Sequence, residues 1–471
     1  MIRILPLALV ACLTLLSCAT SQQSNAAAEI DLLITGGDVV TISGPDIPSG
    51  SVAIRQGQIV AVGPSSEIDS RYRARKIIRA EGRAVLPGFV NAHTHAPMAL
   101  FRGIADDRDL MDWLRSFIFP AEAKNVDREF VRWGTRLAAA EMIRSGTTTF
   151  ADMYYFEQDM ADVLKSIGLR AVLGQTVLDF PAPDYKTWDA AMAGFRQFAA
   201  AYRNDPLIVP ALAPHSPYTV SREHLQEARR LATELRVPLL IHLSETTDEL
   251  KTVAERSDGL RPAQYLASLG FLADDVVAAH GTWLSSDEIE LLARARVGVA
   301  HCPESNMMLA SGVAPVIEMR EKGVDVGLGT DGPAGSNNNL DMIEEMASAA
   351  RLQKVIRKDP RSISARAVLE MATIGGARVL GLSDRVGTLE PGKRADIAII
   401  DLSRPRTQPI YALDSAIVYS ASGSDVVTTI VDGRILMEER RILVLDEKEV
   451  VRQAKLYRDR ILESLRPSPA Q

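Results

Sequence analysis

The chain has only seven histidines, and five of them close short apolar runs that end in a turn. His93 and His95 lie in PGFVNAHTHAPM (87–98), His215 in APHSPY (213–218), His242 in PLLIHLSE (238–245) and His280 in VVAAHG (276–281). Asp331 sits in VGLGTDGP (326–333), and His301 ends a further strand-like run. Imidazoles and a carboxylate placed at strand ends can hold a divalent metal, and others beside them can move protons. His93 and His95 are two apart on a strand, so both rings project to the same side. A metal takes such nitrogens at about 2.0–2.1 Å. His242 beside Glu245 could also be a satisfied buried pair, and Asp331 before Gly-Pro could be a plain turn aspartate. Together, three imidazoles and one carboxylate describe a hydrolytic metal site, where bound water loses its proton near pH 7, from about 15.7 when free.

Those residues need a scaffold that brings strand ends to one place. Between about residues 87 and 385, apolar runs alternate with amphipathic helical stretches such as VRWGTRLAAAEMIRSG and SREHLQEARRLATELR. Strands are expected at 84–91, 147–152, 170–173, 208–213, 239–242, 276–280, 297–301 and 324–329. Repeated strand–helix units of this kind predict an α/β fold, a distorted (β/α)8 TIM barrel whose C-terminal face carries the site. Every polar residue named above falls at that end of its strand.

Flanking the barrel, glycine-broken period-two runs predict strands in IDLLITGGDVVTI, SVAIRQGQIVAVG and KIIRAEGRAVL, and again in ADIAIIDL and AIVYSASGSDVVTTIVDGRIL. The expected organisation is a β-sandwich in two parts, 29–86 and 386–446, interrupted by the barrel at 87–385. A charged C-terminal helix and tail follow at 447–471. At the other end, a basic start, an apolar stretch over 4–16 and Leu15-Leu16-Ser17-Cys18 have signal-peptide proportions. The Leu-Leu-Ser-Cys ending resembles a bacterial lipobox. It implies a signal peptide at 1–17, lipid on Cys18, a polar linker at 18–28 and a lipid-anchored protein of the bacterial cell envelope.

Bulk properties exclude other classes. The net charge is −7 and no Lys/Arg block stands out, so no nucleic-acid partner is expected. Aromatic content of 5% supplies few base-stacking platforms. Of the three cysteines, Cys302 reads as a small buried residue, which leaves no disulfide once Cys12 and Cys18 are set aside.

The segments PGFVNAHTHAPM, FIFPAEAK, APHSPY, IHLSE, AHG, AHCPESNMMLASGVAP, GLGTDGP and LEPGKRADIAIIDL resemble the amidohydrolase superfamily. Within it they are similar to the branch of methylthioadenosine/S-adenosylhomocysteine deaminases and triazine hydrolases. The resemblance implies His93, His95, His242 and Asp331 as ligands of one metal per subunit, zinc or else ferrous iron. ALAPHS, at the fourth barrel strand, offers no lysine for a second metal. By the same resemblance Asp331 takes the proton of the attacking water. His280 holds the developing oxyanion, and Glu245 carries a proton to the ring nitrogen and then to ammonia. Glu122 accepts ribose hydroxyls and His215 contacts substrate. His301 and Ser305–Asn306 are expected to brace the barrel end, and His224 to be a solvated helix residue.

The implied reaction is deamination of an aminopurine nucleoside, releasing ammonia from a small-molecule substrate. The alternative is hydrolysis of other amino- or chloro-heteroaromatics of triazine, guanine or pterin type. A protein that binds heterocycles without turnover would not need both proton-transfer carboxylates. The expected contact with membrane is through the lipid anchor alone, and a homo-oligomer is compatible with the sequence. Two departures stand out. Met308 replaces a frequent lysine, and 175–195 contains no arginine, only Lys186, to hold an amino-acid carboxylate. Methylthioadenosine or adenosine is therefore expected ahead of S-adenosylhomocysteine.

Overall fold

The computed structural model describes residues 27–466. Five strands form first: β1 (Ala28–Val39), β2 (Ile47–Arg55), β3 (Gln58–Pro64), β4 (Tyr72–Arg79) and β5 (Arg83–Pro87). Eight more follow, alternating with helices: β6 (Phe89–Thr94), β7 (Thr147–Tyr154), β8 (Arg170–Val177), β9 (Ile208–Pro214), β10 (Leu239–Leu243), β11 (Val276–His280), β12 (Gly298–His301) and β13 (Val326–Leu328). They pair in parallel and in sequence order, and β13 closes on β6 through Leu328 and Asn91. This is the expected (β/α)8 barrel. Its strands are buried on both faces, which is why they read as continuous apolar runs rather than alternating ones.

The chain then returns to the first sheet with β14 (Ile397–Asp401), β15 (Val426–Val431), β16 (Arg434–Glu438) and β17 (Arg441–Ile442). β14 pairs antiparallel with β5, so the N- and C-terminal segments share one nine-stranded sheet. That sheet folds over a common core in which Ile34, Val52 and Ile78 meet Ile397, Ile399 and Val427. This is the expected composite β-sandwich domain. The stretch AIVYS is a helical turn over Ala416–Ser420 rather than a strand.

One expected strand divides in two. The run 84–91 belongs to the sandwich as far as Pro87 and to the barrel from Phe89. Gly88 makes the transition. A Cβ there would stand 2.1 Å from Thr148 Cγ2, so only glycine lets the chain turn against β7.

The two bodies are joined by a buried ion pair. Arg170, which opens β8, is 2% exposed, and its guanidinium donates from Nε to Asp396 Oδ2 at 2.9 Å and from Nη2 to Oδ1 at 3.1 Å. Nη1 donates to the Pro206 carbonyl at 2.6 Å, and the backbone N–H of Asp432 also donates to Asp396. Both Asp396 oxygens and all three guanidinium nitrogens thus have partners, which is the condition under which a buried pair is tolerated.

The C-terminal helix runs Glu447–Ser464, as expected, and packs its Tyr457 edge-on against Phe130 of the helix Arg128–Ser145. Cys302 is buried and free, and among the described residues no helix is long and apolar enough to cross a membrane. Cys18 and the stretch 4–16 lie outside the described residues.

Candidate active site

The strand ends of β6, β10, β11 and β13 converge. His93 and His95 Nε2 lie 3.4 and 3.2 Å from Asp331 Oδ1, and His95 Nε2 lies 3.3 Å from His242 Nε2. The ring of His93 stands edge-on to those of His95 and His242, at centroid distances of 4.9 and 5.0 Å. The ligand atoms of His93, His95 and Asp331 are within 4.8 Å of one another, as are those of His93, His242 and His280. All four expected ligands are therefore in one cluster, with His280 at its edge.

The close approach of β13 to β6 makes this geometry. Gly329 leaves no room for a Cβ, which would stand 2.9 Å from the backbone and Cβ of His93. Two residues later Asp331 takes a left-handed φ of 61°, and its N–H donates to the His93 carbonyl at 3.0 Å. His280 and Ser244 are also left-handed, at 71° and 52°. Non-glycine residues pay for this conformation, and such strain concentrates where a side chain must be aimed.

The donor set fits a divalent metal. His95 Nδ1 donates to the Met153 carbonyl at 2.5 Å and His242 Nδ1 to the His215 carbonyl at 2.8 Å, so each turns a free Nε2 lone pair to the centre. His93 Nε2 is buried with no hydrogen-bond partner, an orphan that a cation would satisfy. Burial holds His93 down to about 4 and His242 well below the imidazole range, so both are neutral, as ligands must be. Burial also disfavours charge on His95, but its hydrogen bond to Asp331 outweighs this and raises it to about 9. A bound cation would take the place of that proton.

Two carboxyls in the cleft are tuned in opposite directions. Burial, reinforced by the Asp331 charge, pushes Glu245 up to about 8. Burial acts on Asp331 as well, but the imidazoles of His93 and His95 overcome it and hold the carboxylate well below its usual range. His280 stands beside Glu245, Nε2 to Oε2 at 3.8 Å, and its Nδ1 is 3.1 Å from Asn306 Oδ1. The cleft is also lined by Glu122, His215, Trp113, Tyr154, Tyr155 and Tyr218. Glu122 sits on the helix Phe119–Asn125 and is buried, which lifts it to about 7 while the phenols of Tyr154 and Tyr155 pull it back. His215 Nδ1 is held by Thr219 Oγ1 at 3.1 Å.

The sequence reading missed several supporting residues. Glu249 accepts the backbone N–H groups of Ser244 and Glu245 at 2.8 and 2.7 Å, fixing the Glu245 turn. The Thr246-x-x-Glu249 spacing of a helix start was the available signal. Asp152 accepts Thr94 Oγ1 and the Ala96 N–H, the residues on either side of His95. Ser305 and Asn306 do more than brace the barrel: they hydrogen-bond Asp331 and His280 directly. His301 is buried, with neither ring nitrogen partnered. His224 is not simply solvated, since it stacks on Trp188 at 4.0 Å and bonds Asp179.

Residues 84–436 match the family model described as the amidohydrolase family. A 5-methylthioadenosine/S-adenosylhomocysteine deaminase of Syntrophobacter fumaroxidans is 46% identical over 90% of this chain and 97% of its own length. A 5′-deoxyadenosine deaminase of Methanobrevibacter smithii is 45% identical over 86% of this chain and 92% of its own. Among solved structures, an adenosine deaminase from Xanthomonas campestris with bound zinc superposes with a TM-score of 0.91 at 40% identity, covering 93% of this chain and 100% of that one.

These matches correct the reading of the N-terminus. The expected lipid-anchored, cell-envelope lipoprotein, with a signal peptide at 1–17 and lipid on Cys18, is not supported. The Syntrophobacter relative, matched over nearly its whole length, is described as a deaminase. A short apolar run ahead of a cysteine is a compositional pattern alone, and it does not carry the assignment.

Proposed function

The chain belongs to the amidohydrolase family, and from that premise we propose that it is a metal-dependent hydrolytic deaminase of aminopurine nucleosides. The substrates are 5′-methylthioadenosine, adenosine or S-adenosylhomocysteine, and the products are ammonia and the corresponding 6-oxopurine nucleoside. One observation carries the reading: His93, His95, His242 and Asp331 converge at one cleft with His280 and Glu245 beside them, where burial raises Glu245 and the imidazoles hold Asp331 down. Pairs of acids whose surroundings push them apart in this way divide acid and base work between them.

His93, His95, His242 and Asp331 would hold the metal, which we assign as zinc, with ferrous iron the alternative. When bound, the ion supplies Lewis-acid activation of the attacking water at neutral pH. Asp331 takes the proton from that water. His280 positions the water and stabilises the oxygen as it gains charge on the purine carbon. Glu245 delivers its proton to the adjacent ring nitrogen, takes the remaining proton from the hydroxyl now on the purine carbon and passes it to the departing amine; the proton held by Asp331 then returns to Glu245 and closes the cycle. The amino group leaves poorly as an amide ion and readily as ammonia, so its departure requires a carboxyl that can deliver a proton. Glu122 accepts the ribose hydroxyls and His215 contacts the base. A screen of adenosine, methylthioadenosine, S-adenosylhomocysteine, guanine, pterins and triazines, followed by ammonia release and absorbance, tests the proposal. Turnover confined to a ring without ribose would replace it with the triazine or guanine type of reaction.

A further inference from the structure

The cleft does not end at Glu122 and Tyr218. Leu114, Phe119 and Tyr218 line both the catalytic cleft and a second depression just outside it, and that depression adds Arg115, Arg256, Asp179, Phe180 and Thr219. Two guanidiniums therefore stand at the mouth of the site, although 175–195 supplies none. Arg115 comes from the helical turn Trp113–Ile118 that leads directly into the helix of Glu122. Arg256 is the last residue of the helix Thr247–Arg256, whose first turn holds Glu249 and thereby Glu245. The two residues that would read the substrate's far end are thus built onto the same elements as two residues of the catalytic cleft.

Their electrostatics are unbalanced in favour of an anion. Arg115 forms no hydrogen bond or ion pair among the described residues, and Arg256 has one bond, from Nη1 to the Tyr218 carbonyl at 2.7 Å. The carboxylate in the depression, Asp179, has both oxygens engaged, one by His224 Nδ1 at 2.7 Å and one by the Ser221 N–H at 2.8 Å. Between the guanidiniums and the cleft the wall is apolar: Phe119 and Phe180 pack edge to face at 5.6 Å, with Leu114 beside them. The order from inside out is metal cluster, ribose-binding carboxyl, apolar wall and cationic rim. Lys186, by contrast, is spent on the Ala182 carbonyl at 2.7 Å.

We propose that Arg115 and Arg256 form a carboxylate-binding subsite for adenine nucleosides whose aliphatic 5′ substituent ends in an amino-acid carboxylate, as in S-adenosylhomocysteine. The inference rests on the nucleoside deaminase reading and adds residues to it. The 5′ chain lies along Leu114 and Phe119. Its carboxylate meets the guanidiniums, and its ammonium group faces Asp179. The substrate order expected from the missing arginines after the third barrel strand is thereby reversed, because the charge arrives from two other elements.

The test compares S-adenosylhomocysteine, its methyl ester and methylthioadenosine on the metal-loaded wild type, Arg115→Ala, Arg256→Ala and the double variant. Hydrogen bonds between charged groups predict a loss of about tenfold or more in kcat/KM for S-adenosylhomocysteine in each single variant. The loss is expected mainly in KM. Methylthioadenosine and the ester should stay within about twofold of wild type, which a merely structural role would not produce. Equal losses on all three ligands, or an unchanged preference in the double variant, would overturn the proposal. Equilibrium binding of the acid and the ester to the wild type separates the subsite from the reaction. If no nucleoside is deaminated but the acid binds tighter than the ester and the double variant abolishes the difference, the subsite stands and the deaminase reading falls. If methylthioadenosine is turned over but acid and ester bind alike, the deaminase reading stands and the subsite falls.

Discussion

Ser305 Oγ donates to Asp331 Oδ2 at 2.6 Å, while Asp331 Oδ1 faces the imidazoles of His93 and His95. The two oxygens of one carboxylate are thus given separate partners, one on the metal side and one on the protein side. The hydroxyl favours the ionised form and fixes its direction. Ser305→Ala should retain metal and lower kcat by about tenfold, the worth of one charge-assisted hydrogen bond. Losing a donor raises the Asp331 pKa, so the acid limb of the kcat profile should move to higher pH. An unmoved limb would show that Ser305 only packs.

Glu245 should be indispensable as a proton carrier. Glu245→Gln keeps size and reach but cannot transfer a proton, so kcat should fall by about 10²–10⁴-fold with metal content unchanged. Single-turnover kinetics checks that the loss is in chemistry. Retained turnover would move the role to another group, with Asp331 the first suspect.

Glu122 predicts a pH dependence of binding rather than of chemistry. Its carboxyl is raised to about 7, so below that pH it is protonated and loses acceptor capacity for ribose hydroxyls. KM for methylthioadenosine should therefore rise as pH falls through about 7, and this slope should vanish in Glu122→Gln. Glu122→Ala should harm nucleosides far more than free bases, since an unmatched polar group discriminates strongly. A flat KM profile in the wild type would remove Glu122 from ribose recognition.

The joint between sandwich and barrel gives a stability prediction. Arg170→Met leaves Asp396, itself 2% exposed, without its counter-charge. Breaking a buried pair on one side costs about 3–5 kcal/mol, to be read from denaturant unfolding. The activity of the folded, metal-loaded fraction should be unchanged, because the pair lies where β8 begins and the site lies where the strands end.

Particular residues show why some of this was legible in the sequence and some was not. His93, His95, His242, His280 and Asp331 each terminate an apolar run, and a barrel strand buried on both faces leaves only its end for a polar side chain. Their convergence followed once the barrel was recognised. Asp152 and Ser305 act on residues far along the chain, and no local pattern marks such a contact, whereas Glu249 was marked only by its spacing from Thr246 at a helix start. Residues 84–91 read as one strand because hydrophobicity is continuous across Gly88, although the two halves belong to different sheets. Arg115 and Arg256 are separated by much of the barrel in sequence, and only the closed ring of strands puts both beside Tyr218.

Ammonia release from methylthioadenosine by the purified protein tests the central claim most directly. The account predicts one ammonia per nucleoside converted, with the ribose and 5′ group intact in the product. Activity should be abolished by chelation and restored by about one equivalent of zinc, as a single four-ligand site requires. No ammonia from any adenine nucleoside by the metal-loaded protein, or full activity after complete metal removal, would contradict it.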